Sequence, residues 1–167
     1  MTGVQTRALP ICNNTKAMNK RAWLIYEHKD GSILSSGDEQ LPFDEQADPL
    51  VLEDYDYGIW YMDALEHPRK YEGRQVTVEV KVYPVNEERA HAYVAGREAM
   101  VCCSDDTSLI GMWVYTADQK PRPLSWVRLT GRIRVEYDED FGGEVCALEE
   151  IGREVLEHHD DEYVYFT

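Results

Sequence analysis

Residues 74–85, RQVTVEVKVYPV, alternate without a break. Valine stands at 76, 78, 80 and 82, with Thr77, Glu79 and Lys81 between. Successive side chains of a strand project to opposite faces. This stretch therefore predicts a strand with one face on a core and one in solvent. Such a strand needs partners, and four further stretches offer them: AHAYVAGREAMVCC (90–103), SLIGMWVYT (108–116), SWVRLTGRIRVEY (125–137) and EVCALEEIGREV (144–155). Short polar segments such as QKPRP (119–123) and DEDFGG (138–143) separate them. Five strands joined by short turns predict a mainly β fold, a small barrel or sandwich, and the expected form is a five-stranded OB-like barrel. Gly96 and Gly131 fall inside predicted strands, where a bulge or a close backbone approach is expected. Before the strands, YDYGIWYMDALEHP (55–68) carries Ile59, Met62, Ala64 and Leu65 near helical spacing. That predicts a short helix, ended by Pro68.

The chain has 167 residues, which suits one domain with a flanking piece. SSGDEQLPFDEQADP (35–49) is acidic, with a glycine and two prolines, and residues 35–54 are expected to be a linker. Upstream, AWLIYEH (22–28) predicts another strand, followed by an Asp-Gly turn. Residues 1–11, MTGVQTRALPI, resemble the translation of a common sequencing adapter, with Arg7 where cysteine is expected. They are set aside from fold reasoning, and the natural chain is expected to begin upstream. The barrel domain is then expected over 55–167.

Net charge is −15. Residues 136–162 alone hold 12 Asp and Glu against one Arg. Few clustered cations are available to neutralise phosphates, so neither nucleic acid nor an anionic membrane is the expected partner. A solvated acidic surface is the simplest reading, and attraction of cations or a basic partner is the functional one. No apolar run approaches the ~20 residues of a membrane-spanning helix. No secretory signal is evident, so Cys12, Cys102, Cys103 and Cys146 are expected as free thiols or metal ligands in a reduced compartment.

The chemistry concentrates in VCCSDD. Cys102 and Cys103 are adjacent, and Asp105 and Asp106 follow. Thiolates and carboxylates are legitimate zinc ligands. Adjacent residues of an unbroken strand face opposite ways, however, so two thiols share a site only if the strand breaks there. Cys146, His91, His158 and His159 are further ligands by type. The alternatives are small buried thiols with aspartates capping a turn, or a catalytic thiol, for which no base is evident. HHDD (158–161) reads first as solvated tail, Arg97 with Glu98 as a surface ion pair, and Trp113 and Trp126 as core or barrel-mouth residues. The phosphate-binding loop Gly-x-x-x-x-Gly-Lys-Ser/Thr is absent from the sequence.

DYGIWYMDALEHPRKYEGRQVTVEVKVY, GREAMVCCSDDTSLIGMWV, SWVRLTGRIRVEY and the terminal DEYVYF together resemble the C-terminal domain fused behind CobW-type GTPases. They also resemble the soluble half of YcgQ-like proteins, which in that family follows membrane helices and accompanies a permease. MNKRAWLIYEHKDGSI and LPFD look like the end of a GTPase core and its linker, which makes residues 12–34 a remnant of an α/β GTPase domain. The resemblance implies a bacterial, cytoplasmic, non-catalytic accessory domain of a metal-handling protein. It implies a divalent metal, zinc, at Cys102, Cys103 and Asp106, with Asp105 and Cys146 as weaker ligands. The implied partners are a GTPase core in the parent chain and a permease or metal-receiving protein. An interaction module with structural cysteines is the alternative.

Overall fold

The computed structural model describes residues 41–85, 89–100 and 107–165, together with the backbone of 7–8. The strand read at 22–28 and the GTPase remnant at 12–34 lie outside the described residues.

The alternating stretch is strand β3, Gln75–Tyr83. Val76, Val78, Val80 and Val82 are each at most 2% exposed, while Thr77, Glu79 and Lys81 line the other face. Three more long strands follow β3 before the last: β4 (Ala92–Met100), β5 (Thr107–Tyr115) and β6 (Trp126–Asp138). The last is β7, Gly143–Leu156. Two-residue strands β1 (Arg7–Ala8), β2 (Leu50–Val51) and β8 (Tyr163–Val164) complete one eight-stranded, mainly β sheet.

The long strands pair in a ring. β3 is antiparallel to β4 and to β6, β4 to β5, and β6 to β7, while β5 and β7 meet in parallel at Val114↔Leu148 and Tyr115↔Glu149. The β6–β7 hairpin turns where Asp138 accepts the Phe141 N–H at 2.8 Å and Gly142 adopts φ 77°. Its register shifts between Thr130 and Gly131.

Gly96 sits opposite Gly111 in the β4–β5 ladder. A Cβ on Gly96 would lie 2.2 Å from the Ile110 carbonyl oxygen and 2.4 Å from the Gly111 Cα. The two backbones are closer there than any side chain allows, which realises the close approach read from the sequence.

Helix α1, Asp54–Glu66, opens with Asp54 and Asp56 in its first turn, where negative charge complements the helix dipole. Of the apolar residues at helical spacing, Ala64 is buried and Ile59, Met62 and Leu65 are half-buried, while Tyr57, Trp60 and Tyr61 fill the rest of the inner face. Aromatic bulk decides the face, because Tyr57 and Tyr61 donate hydroxyl bonds to the Ile110 and Gly111 carbonyls of β5 at 3.2 and 3.0 Å. A second helix, α2 (Pro68–Tyr71), starts at the proline that ends the first.

The stretch read as linker contributes to the core as well. Leu50 and Leu52 are 1% and 6% exposed, and β2 runs parallel to β3 with Leu50↔Val76 and Val51↔Thr77 in register. Two leucines among acids are enough to seat it.

Candidate functional site

β3 has two partners along its outer edge. β2 covers Val76 and Thr77, and β4 covers residues 81–83. Glu79 lies in the gap, on the polar face of the strand. Asp54, at the N-terminus of α1, approaches from one side, and His159, beyond the end of β7, folds back from the other. One ligand atom from each of the three residues lies within 4.8 Å of the other two. A groove of about 280 Å³ opens beside them, walled by Val51, Leu52, Thr77, Glu79 and Arg128 among others.

His159 is the centre of the arrangement. Its side chain is only 5% exposed, and its ring stacks on Trp126 with centroids 4.3 Å apart and planes 16° from parallel. Nδ1 lies 2.8 Å from the Asp161 carbonyl oxygen. A carbonyl only accepts, so Nδ1 carries the hydrogen, and a neutral imidazole then has a bare lone pair at Nε2. That nitrogen faces Glu79 Oε2 at 2.9 Å and Asp54 Oδ1 at 3.3 Å, both acceptors. Only a cation at Nε2, a proton or a metal ion, makes this geometry attractive. A histidine that donates its other N–H to a backbone carbonyl is the usual posture of a metal ligand. The separations also suit a small ion, since bonds of about 2.0–2.2 Å at angles near 90–110° put ligand atoms about 2.9–3.5 Å apart.

Two arginines balance the carboxylates. Arg97 of β4 is fully buried, with Nη1 2.5 Å from Asp54 Oδ1 and 3.3 Å from the Glu79 carbonyl, and Nη2 donating to the Asp161 carbonyl. Its guanidinium lies 5.0 Å from the Trp126 ring centroid, and its Nε is buried without a hydrogen-bond partner. Arg128 of β6 holds Glu79 Oε1 at 2.6 Å and Glu154 at 2.8 Å. Arg97 is thus not the surface ion pair that its neighbour Glu98 suggested. Glu98 is half-buried, and desolvation raises its carboxyl pKa, with Lys81 pulling the other way.

Cys102, Cys103, Asp105 and Asp106 lie outside the described residues; β4 ends at Met100 and β5 begins at Thr107. Cys146 is placed in the core, apart from the charged cluster. The thiol is packed in the core, with Sγ 3.6 Å from the Ala64 carbonyl and 3.7 Å from that of Pro68. Burial, reinforced by the charge of Glu72, pushes the pKa of the free thiol up to about 12, so it stays protonated at neutral pH. It is not part of the Asp54–Glu79–His159 group. His91 is exposed in a turn with φ 57°, and His158 is exposed beside Asp160. Trp113 is core, as expected, at 2% exposure.

The correction that matters most concerns HHDD. His158 is solvated, as that stretch suggested, and His159 is not. Asp54 and Glu79 carry no mark in the sequence beyond a helix start and the polar phase of a strand. The HHDD run was the one usable signal.

The fold and the site define a mainly β domain with a charged, aromatic-lined cluster on its outer face and an apolar core. Residues 33–166 match the DUF1980 C-terminal domain, and the chain belongs to that family. No curated protein matches it. The family span takes in the whole acidic stretch before α1, consistent with β2 lying in the sheet.

Proposed function

We propose that this chain is an OB-like five-stranded barrel, non-catalytic by itself, that binds a divalent metal ion as the accessory domain of a metal-handling protein. The ring of pairings among β3, β4, β5, β7 and β6, with its single parallel contact, supports the barrel reading. The metal reading is carried by one observation: Nε2 of His159, its ring held by Nδ1 against the Asp161 carbonyl, faces two carboxylate oxygens. One nitrogen and two oxygens suit zinc among the common ions. Cys102, Cys103 and Asp106 remain a second, thiolate-rich candidate, with Asp105 beside them. Two stations would suit a protein that passes an ion on. A CobW-type GTPase core in a parent chain is the proposed donor or acceptor, a permease or receiving protein the other party, and the cytoplasm the proposed setting.

A specific observation favours a second reading. Arg97 and Arg128 already neutralise Asp54 and Glu79. The cluster would then be a purely structural clasp, and the domain an interaction module. Calorimetric titration of zinc into chelator-stripped protein separates the two. The metal reading expects uptake by wild type, persisting in Cys102→Ser/Cys103→Ser and lost on adding His159→Ala to that pair. No uptake by wild type at micromolar zinc overturns it in favour of the clasp.

A further inference from the structure

We propose that residues 157–165 form a releasable strap, and that an ion at Asp54, Glu79 and His159 is its catch. This rests on the metal-binding reading above and adds its regulation. Two of the three ligands belong to the body of the domain, Asp54 on α1 and Glu79 on β3. The third is carried by a segment held at few points. After β7 ends at Leu156, residues 157, 158, 160, 161 and 162 are exposed.

The strap touches the body through the His159 ring on Trp126, His159 Nε2 beside Glu79 and Asp54, the Asp161 carbonyl on Arg97, a weak ion pair of Glu162 with Lys81 at 3.8 Å, and β8, which also lies against α1. β8 is two residues long, parallel to β4 at Glu98↔Tyr163 and Ala99↔Val164, and Val164 is its one buried side chain. A two-residue ladder is too short to hold by itself, and Glu157, Asp160, Asp161 and Glu162 add repulsion within a chain of charge −15. With Nε2 bare, the strap also sets a lone pair against two carboxylates.

An ion at that point reverses the sign of the contact. It binds the docked state with three protein ligands and the released state with two. Ion binding and docking are therefore one linked equilibrium, and each favours the other by the same factor. Loss of an outer partner of a metal ligand alone weakens binding about 10–100-fold, so loss of His159 itself sets a coupling of at least about 10-fold. Release would uncover the Trp126 face and the outer edge of β4 at Glu98 and Ala99.

Hydrogen exchange of the full chain carrying Cys102→Ser and Cys103→Ser tests this, with zinc chloride or with EDTA, alongside calorimetry on the same samples. Zinc should slow exchange of the Tyr163 and Val164 amides at least about 10-fold while leaving the β6–β7 hairpin unchanged. Adding His159→Ala should abolish that slowing. A chain stopped after Asp161, which keeps His159 and lacks β8, should bind zinc several-fold more weakly. Zinc uptake with unchanged exchange of the strap, or undiminished affinity in the shortened chain, overturns the strap and leaves metal binding standing. No uptake at all overturns both.

Discussion

Replacing Gly96 by alanine is the sharpest test of how β4 and β5 are built. The added methyl would stand 2.2 Å from the Ile110 carbonyl oxygen, 2.4 Å from the Gly111 Cα and 2.9 Å from the Ile110 carbonyl carbon. Ordinary contact begins at 3.4 Å, so the paired strand must retreat by about 1.2 Å. Every one of those atoms is backbone, so no side chain can swing aside. Overpacking of a core costs about 1–3 kcal/mol, occasionally more, and a clash with backbone belongs at the upper end, about 3 kcal/mol. Two other strand glycines supply controls. At Gly111 the nearest atom is the Ala95 carbonyl oxygen at 2.9 Å, and at Gly152 nothing lies within 4 Å. The expected order of loss is Gly96→Ala, then Gly111→Ala at about 1 kcal/mol, then Gly152→Ala within about 0.5 kcal/mol of wild type. Urea unfolding followed by tryptophan fluorescence measures it, and 3 kcal/mol moves the midpoint by about 1 M or more at the usual slope. A Gly96→Ala protein as stable as Gly152→Ala would refute the close approach.

Tyr71 is fully buried, and its hydroxyl donates to the Asp63 carboxylate, which Lys70 also holds at 2.7 Å. Tyr71→Phe removes one donor from a buried charge and should cost about 1–3 kcal/mol in the same urea assay; an unchanged midpoint would show that Asp63 does not depend on it. Cys146 should resist thiol reagents at pH 8 in the folded protein and react on unfolding, read by mass spectrometry of its peptide; rapid labelling of the native chain would contradict its burial. The raised thiol pKa also has a sign. Its contribution to stability is complete below the ordinary value of 9 and is lost as pH rises through about 12, so Cys146→Ala should flatten the decline of stability over that window.

Much of the architecture was legible from local pattern. The valines of β3 announce a strand because alternation is a property of consecutive residues. The other four long strands were placed within a few residues of their ends by the same rule. The spacing in α1 marks Ala64 but not the aromatic residues around it, because the sheet opposite selects the tyrosines that reach its carbonyls. The two-residue strands β2 and β8 were not legible. Each is too short to carry a period, and each exists because an edge of β3 or β4 was left open for it.

The candidate site divides along the same line. By itself the sequence determined that the chain builds a β domain with a paired polar face and that it is strongly acidic, and in HHDD it offers two histidines that are ligands only by type. Only the tertiary structure decided that His159 turns inward while His158 stays in water, and that it meets Asp54 and Glu79 rather than Cys146. The reason is physical. Strand and helix patterns arise from neighbours in sequence, whereas Nε2 of His159 meets its carboxylates only after β3, α1 and the end of the chain have packed around Arg97 and Trp126.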